Sequence, residues 1–177
     1  MDSLRGRLLI AGPTLVDPNF HRTVVLVAEH SEEGALGIVL NRLSELEVAE
    51  AAPEIPTLVD ADEQLFVGGP VAPEGVIVLA EFEDPSEAGL LAFEDVGFLS
   101  GEPPVGGTRR SRVFAGHAGW APGQLDGEVA GKDWIVEPAQ REDLFSDAPE
   151  RLWATLLERK GGRYRLLARM PSDPNLN

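Results

Sequence analysis

The 177 residues suit one domain, and a chain of that length can bury about 70% of its unfolded surface. The absence of cysteine excludes disulfides, thiolate catalysis and cysteine-ligated zinc or iron–sulfur centres. A formal net charge of −15 disfavours direct nucleic-acid binding, whose sequence-independent strength comes from basic groups displacing counterions.

The opening segment, MDSLRGRLLIAGP, has too short an apolar run for a signal peptide. No apolar span approaches the roughly 20 residues of a membrane helix, so a soluble cytoplasmic protein with no membrane partner is expected. The charge is unevenly spread. Between Glu29 and Val105 there are 18 acids and one base, Arg42, whereas residues 151–177 carry six bases and two acids.

In chain order, Arg7–Ala11 reads as a first strand closed by Gly12-Pro13. Thr23–Ala28 is a continuous β-branched run, as in a central strand covered on both faces. The turn SEEG joins it to Ala35–Leu40 as an antiparallel hairpin. Ser44, with Glu47 three residues on, reads as a capping box, and Leu43 with Val48 as a staple, opening a helix that ends before Pro53. After an acidic loop, QLFVGGPVAPEGVIVLAEF reads as a strand, a Gly68-Gly69-Pro70 turn and a second strand, and AGLLAFEDVGFLSG as further extended chain.

A strand through Val113–Ala115 is expected to break at the repeated glycines that follow, ahead of a short helix with Pro122 in its first turn. WIVEP is a brief strand. Asp147 then caps a final helix with an apolar stripe of Leu152, Trp153, Leu156 and Leu157, and with Gly161 just past its end. RYRLLARM alternates as a half-buried edge strand with a mostly basic outer face. Helices appear singly, without a βαβ rhythm, so the class is α+β: a single domain over residues 1–177 around a mixed sheet.

The three histidines, His21, His30 and His117, form no closely spaced metal pair, and neither a nucleophile elbow nor a phosphate loop is present; no metal or cofactor is expected. The knot Asp17-Pro18-Asn19-Phe20-His21-Arg22 is read as a joint. Asp17 and Asn19 make Asx-type turns, Phe20 plugs the core, and Arg22 closes on Asp17 or a neighbouring acid. In GHAGWAPGQL, Gly116, Gly119 and Gly123 permit close backbone approach, while Trp120 is either a core residue or a docking anchor. The bases Arg109, Arg110, Arg112, Arg159, Lys160, Arg163 and Arg165 either scatter or converge into a patch for an acidic ligand.

Taken together, LLIAGPTLVDPNFHRTVVLVAEHSEEGALGIVLNR, VGGPV, AGHAGWAPGQLDGEVAGKDW and the tryptophan-bearing C-terminal helix resemble the AlgH/YqgE family of bacterial proteins. That family usually has an aromatic residue at the position of His117 and a glycine at that of Ala121. The resemblance implies a compact α+β fold with a bifurcated, partly barrel-like sheet surrounded by a few helices. It also implies the label of transcriptional regulator, with no established catalytic residues. Asp17, Pro18, Asn19, Phe20, Arg22, His30, Gly34, Asn41, Gly68, Gly69, Pro70, Gly119, Trp120, Gly123, Gln124 and Leu125 occupy its motif positions.

The leading expectation is a non-enzymatic regulatory protein that binds a protein partner or small molecule, with Arg22, His30, Asn41, Trp120 and Gln124 as candidate binding residues. Asp17, Pro18, Asn19, Phe20, Gly68, Gly69, Pro70, Gly119 and Gly123 are the structural set. The alternative is an enzyme using a carboxylate and a histidine near Asp17, Glu29 and His30, in a cleft where Arg22, His30, Asn41 and Trp120 meet. A third reading is homo-oligomerisation through complementary acidic and basic faces.

Overall fold

The computed structural model describes residues 2–57 and 64–173; much of the acidic loop expected before Gln64 lies outside them. Among the described residues the strands are β1 (Arg7–Ala11), β2 (Val24–Ser31), β3 (Gly34–Val39), β4 (Leu43–Glu47), β5 (Gln64–Val67), β6 (Val71–Phe82), β7 (Leu90–Phe93), β8 (Val96–Phe98), β9 (Thr108–Trp120) and β10 (Trp134–Pro138). The α-helices are α1 (Val48–Ala51), α2 (Gln124–Ala130), α3 (Arg141–Leu144), α4 (Leu152–Lys160) and α5 (Arg163–Ala168).

The sheet runs β10-β1-β2-β3-β9-β6-β8-β7, antiparallel throughout, and β5 adds parallel to β9 while carrying β4. The β-branched run expected to be central is so, with Val24–Ala28 fully buried. The sheet forks at β9. One edge of β9 pairs with β5 over Val113–Ala115 and with β3 over Ala118–Trp120, while β6 takes the other edge. The chain therefore crosses β9 between β5 and β6, and Gly68-Gly69-Pro70 makes that crossing. A Cβ on Gly68 would lie 2.3 Å from the Gly116 carbonyl oxygen, and one on Gly69 2.2 Å from the His117 carbonyl carbon. Gly116, at φ +72°, would bring a Cβ within 2.4 Å of the Gly69 oxygen. No side chain fits on either partner.

The sheet stays open. Its β7 end curls towards the β1–β2 pair, where Arg5 Nε donates to the Leu91 carbonyl at 2.9 Å and the Gly6 N–H donates to Val27 at 2.8 Å. This gives the partly barrel-like form without closing a ladder. Against β1 lies α4, whose Leu152, Trp153, Leu156 and Leu157 are all buried. Each such side chain contributes roughly 1.5–3 kcal/mol of burial. Trp153 Nε1 also donates to the Ala11 carbonyl at 3.0 Å. Gly161 ends the helix at φ +80°, as expected.

Several local expectations are corrected. Residues 43–47 are strand, because Leu43 pairs with Phe66, so the capping box shifts to Glu47 and Glu50 and serves a single turn. Strand β9 runs on through its glycines to Trp120, held by β6 and β3. Pro122 precedes α2 and Gly123 occupies its N-cap at φ +74°. Asp147 caps nothing; a 3₁₀ turn at Pro149–Arg151, with Ala148 at the turn's N-cap, leads into α4, whose own N-cap is Arg151. Residues 163–168 are helix, because positive φ at Gly161 and Gly162 reverses the chain and sets Tyr164, Leu167 and Ala168 against the core at helical spacing.

Candidate functional site

The polar knot joins β1 to β2. Asp17 Oδ1 accepts the Asn19 N–H at 2.8 Å, an Asx turn, and the Asp17 carbonyl accepts from Phe20 and His21. Arg42 donates to the Asn19 and His21 carbonyls at 2.6 and 3.1 Å. Burial lowers the Arg42 pKa, and the nearby Asp17 charge works against that. Asn41 acts as a backbone surrogate where β3 ends: Oδ1 accepts the Val24 N–H and Nδ2 donates to the Arg22 carbonyl, both at 2.9 Å. Arg22, itself at φ +55°, does not close on Asp17. Its Nη2 donates to the Met170 carbonyl at 2.6 Å and its guanidinium lies 4.6 Å over the Trp153 ring.

His30 sits near the far end of β2, about 20 Å from Val24 at roughly 3.3 Å per residue. Its Nδ1 accepts the Leu4 N–H at 3.0 Å, which leaves the proton on Nε2, directed at Asp126 Oδ2 at 3.2 Å. Both ring nitrogens are thus engaged by the protein, tying the N-terminal segment to α2. Glu29 is exposed on the rim of a shallow hollow with Ser31, Glu33 and Trp120.

Between these ends, Phe20, Trp120 and Trp134 form a ring cluster with centroids 5.7–6.3 Å apart. Glu128 Oε2 accepts both indole N–H groups, from Trp120 at 2.9 Å and Trp134 at 2.8 Å. Gln124 accepts the Ala121 N–H and donates to Glu128 Oε1, so it orients the carboxylate. Trp120 is only 7% exposed. The cleft in which Arg22, His30, Asn41 and Trp120 would meet is not formed. Gly119 meets nothing closer than a Val71 methyl at 3.8 Å, so its backbone places no demand for glycine.

Among the described residues a concave feature lies elsewhere, between β10 and α5. It is a groove of about 820 Å³, within the usual ligand-site range of about 300–1,000 Å³. Trp134, Ile135 and Val136 line it from β10, Tyr164, Leu166, Leu167 and Met170 from α5 and the residues after it, and Pro13 and Thr14 also border it. A smaller hollow of about 470 Å³ shares Pro13, Leu167 and Met170 and extends to His21, Arg22 and Trp153. Leu166 and Met170 are 71% and 54% exposed.

The groove's rim is basic. Lys160 pairs with Glu137, and Lys160 and Arg163 lie 5.0 and 5.2 Å from the centre of the Tyr164 ring. A hydrogen bond from Arg163 draws the Tyr164 phenol below its ordinary range, against a small opposing effect of burial. Among the described residues, Lys132, Arg163, Arg165 and Arg169 meet no carboxylate.

The seven bases read as a possible single patch do not converge. Arg109 and Arg110 bind Glu81 at 3.5 and 2.9 Å, together with Arg141, in a network that also holds Asp95. Burial alone would raise the Glu81 pKa, but hydrogen bonds from Arg110 and Arg141 outweigh it and hold the carboxyl below its ordinary range. Arg112 donates to the Ser146 carbonyl and stacks on Phe66, and Arg159 pairs with Asp143 at 2.7 Å. Only Lys160 and Arg163 of that set line the groove. Lys132, Glu128 and the helical form of α5 were not anticipated; the clearest pointer was the basic C-terminal segment on an acidic chain.

Comparison with known proteins agrees with the architecture. A model of the AlgH-like family, DUF179, matches residues 8–165. A UPF0301 protein of Streptomyces coelicolor is 38% identical, with 100% of this chain and 97% of that protein covered. Another, of Thermobifida fusca, is 40% identical with 99% and 96% covered. The fold is similar to the crystal structure of a protein from Corynebacterium diphtheriae, at TM-score 0.84 and 27% identity over 96% of this chain and 93% of that one. It is also similar to the solution structure of the AlgH protein from Pseudomonas aeruginosa, at TM-score 0.71 and 30% identity over 96% and 95%. The family match spans the sheet, its fork and helices α1 to α4, and the chain belongs to the AlgH-like family.

Proposed function

We propose that this protein is a non-enzymatic, cytoplasmic binding protein that acts in regulation through a partner, and that the groove between β10 and α5 is its binding face. The observation that carries this reading is a cation-rimmed apolar groove on a chain of net charge −15. Apolar walls supply the binding free energy, and unneutralised Lys132 and Arg163 select for an acidic occupant. The net charge opposes duplex DNA, so regulation runs through a protein or an acidic small molecule. The residues with the strongest chemical potential in the sequence serve the fold: Asp17, Asn41 and His30 hold backbone groups, and Gln124 holds Glu128.

The test is affinity capture from the native cells with wild type and a Lys132→Glu/Arg163→Glu double variant. A companion retained at near-equal stoichiometry by wild type, and reduced at least tenfold by a variant of unchanged melting temperature, is expected. Equal retention by both, or tight binding of duplex DNA at physiological salt, contradicts the reading.

A further inference from the structure

Strand β10 ends the sheet, and the direction of its backbone groups follows from the ladder. The Gly12 N–H donates to the Asp133 carbonyl at 2.7 Å, in register with the β1–β10 pairs. Hydrogen-bonded pairs alternate along an antiparallel ladder, so Ile135 and Glu137 exchange bonds with Ile10 and Leu8. The N–H and C=O of Trp134 and Val136 therefore point away from β1, and both residues line the groove. Among the described residues no strand, loop or side chain takes these groups. Pro138 then ends the edge with a residue that has no N–H to offer.

An edge strand of this kind is a template for another strand. Here it is framed by Leu166 and Met170 opposite and by Lys132 and Arg163 at the rim. We infer that the occupant of the groove is an extended acidic segment of a partner protein, which pairs its backbone with Trp134 and Val136 as an added strand. This rests on the reading above that the groove is the binding face. Alternate residues of such a segment face opposite sides, so an Glu/apolar alternation places apolar side chains on the groove walls and carboxylates at Lys132 and Arg163.

The test uses a capped, fluorescent hexapeptide of alternating Glu and Val, its Lys/Val counterpart, and the Glu/Val peptide N-methylated at alternate amides. N-methylation removes the donors that pair with an edge while leaving charge and apolar surface in place. Saturable binding of the Glu/Val peptide to wild type is expected, weakened at least tenfold by N-methylation and at least tenfold in the Lys/Val peptide. Val136→Pro removes one outward N–H without touching the β1 ladder and should weaken the same peptide about tenfold at unchanged melting temperature. Equal binding of the N-methylated peptide overturns the inference, as does no binding of the Glu/Val peptide at millimolar concentration, or dodecanoate filling a groove that rejects the peptide. If Lys132→Glu/Arg163→Glu releases the captured companion but Val136→Pro does not, strand addition fails while the groove reading survives. If neither does, both fail.

Discussion

Replacing Glu128 by Ala removes the carboxylate that holds two indoles and one amide at once. Glu128 Oε2 accepts from Trp120 at 2.9 Å and Trp134 at 2.8 Å, and Oε1 accepts from Gln124 at 2.9 Å. Both tryptophans are buried, so truncation leaves two indole N–H groups without an acceptor in a largely apolar setting. Hydrogen bonds to a charged acceptor contribute about 1.5–3 kcal/mol each. Glu128 is itself half-buried, so water recovers part of that, and a net loss of about 3 kcal/mol follows from the lower end of that range. For a chain of this size that is a fall of roughly 6–12 °C in Tm. Glu128→Gln keeps an oxygen facing the indoles and costs about 1 kcal/mol. Urea unfolding followed by tryptophan emission measures both variants. A Glu128→Ala protein within about 0.5 kcal/mol of wild type would refute the idea that this carboxylate organises the ring cluster.

Other outcomes follow from the same geometry. Gly116→Val places a branched side chain at φ +72° against the Gly69 carbonyl and should destabilise by at least about 3 kcal/mol, checked by denaturant titration. Glu81→Gln should cost about 1–2 kcal/mol at neutral pH, a figure discounted because its arginine partners are partly exposed. The folded-state pKa of Glu81 is lowered, so its contribution is full above the ordinary glutamate range near 4.3 and is lost as pH falls below it. Wild-type and variant stabilities should therefore draw together as pH falls from the ordinary glutamate range through the lowered folded-state pKa, and a gap that stays constant through that fall would contradict the assignment. Asp17→Ala loses one exposed Asx bond and should cost about 0.5–1.5 kcal/mol in Tm or urea assays, with partner capture unchanged.

The β1–β2–β3 segment and α4 were legible because local pattern and tertiary role agree there. A continuous β-branched run lies between clear turn signals, and an apolar stripe ends at Gly161. The fork was not legible, because it depends on β5 and β6 both pairing with β9, and nothing local reports that. Glycines that look like strand breakers at 116 and 119 sit inside a strand whose neighbours pair with it on both sides of an irregularity, where Gly116 takes its positive φ. Eight residues, 163–170, fit a period of two nearly as well as one of 3.6. What decides is the reversal at Gly161-Gly162 and the packing of Tyr164, Leu167 and Ala168, both tertiary facts.

The groove escaped for a related reason. Its walls come from residues 13–14, 131–136 and 160–170, three stretches with no shared motif. Of the candidate binding residues, Arg22 alone reaches its extension, through the Met170 carbonyl and the Trp153 ring. His30, Asn41, Trp120 and Gln124 carry chemistry that is used inside the fold. Charge asymmetry pointed the right way but at the wrong groups, because Arg109, Arg110 and Arg159 each face an acid brought close by folding.

The most direct measurement is amide hydrogen exchange of the protein alone and bound to its captured companion. The account predicts slowed exchange concentrated at residues 131–137 and 163–170, with Trp134 and Val136 among the amides most affected. Protection at residues 17–23 or across the acidic block, with β10 and α5 unchanged, would contradict it.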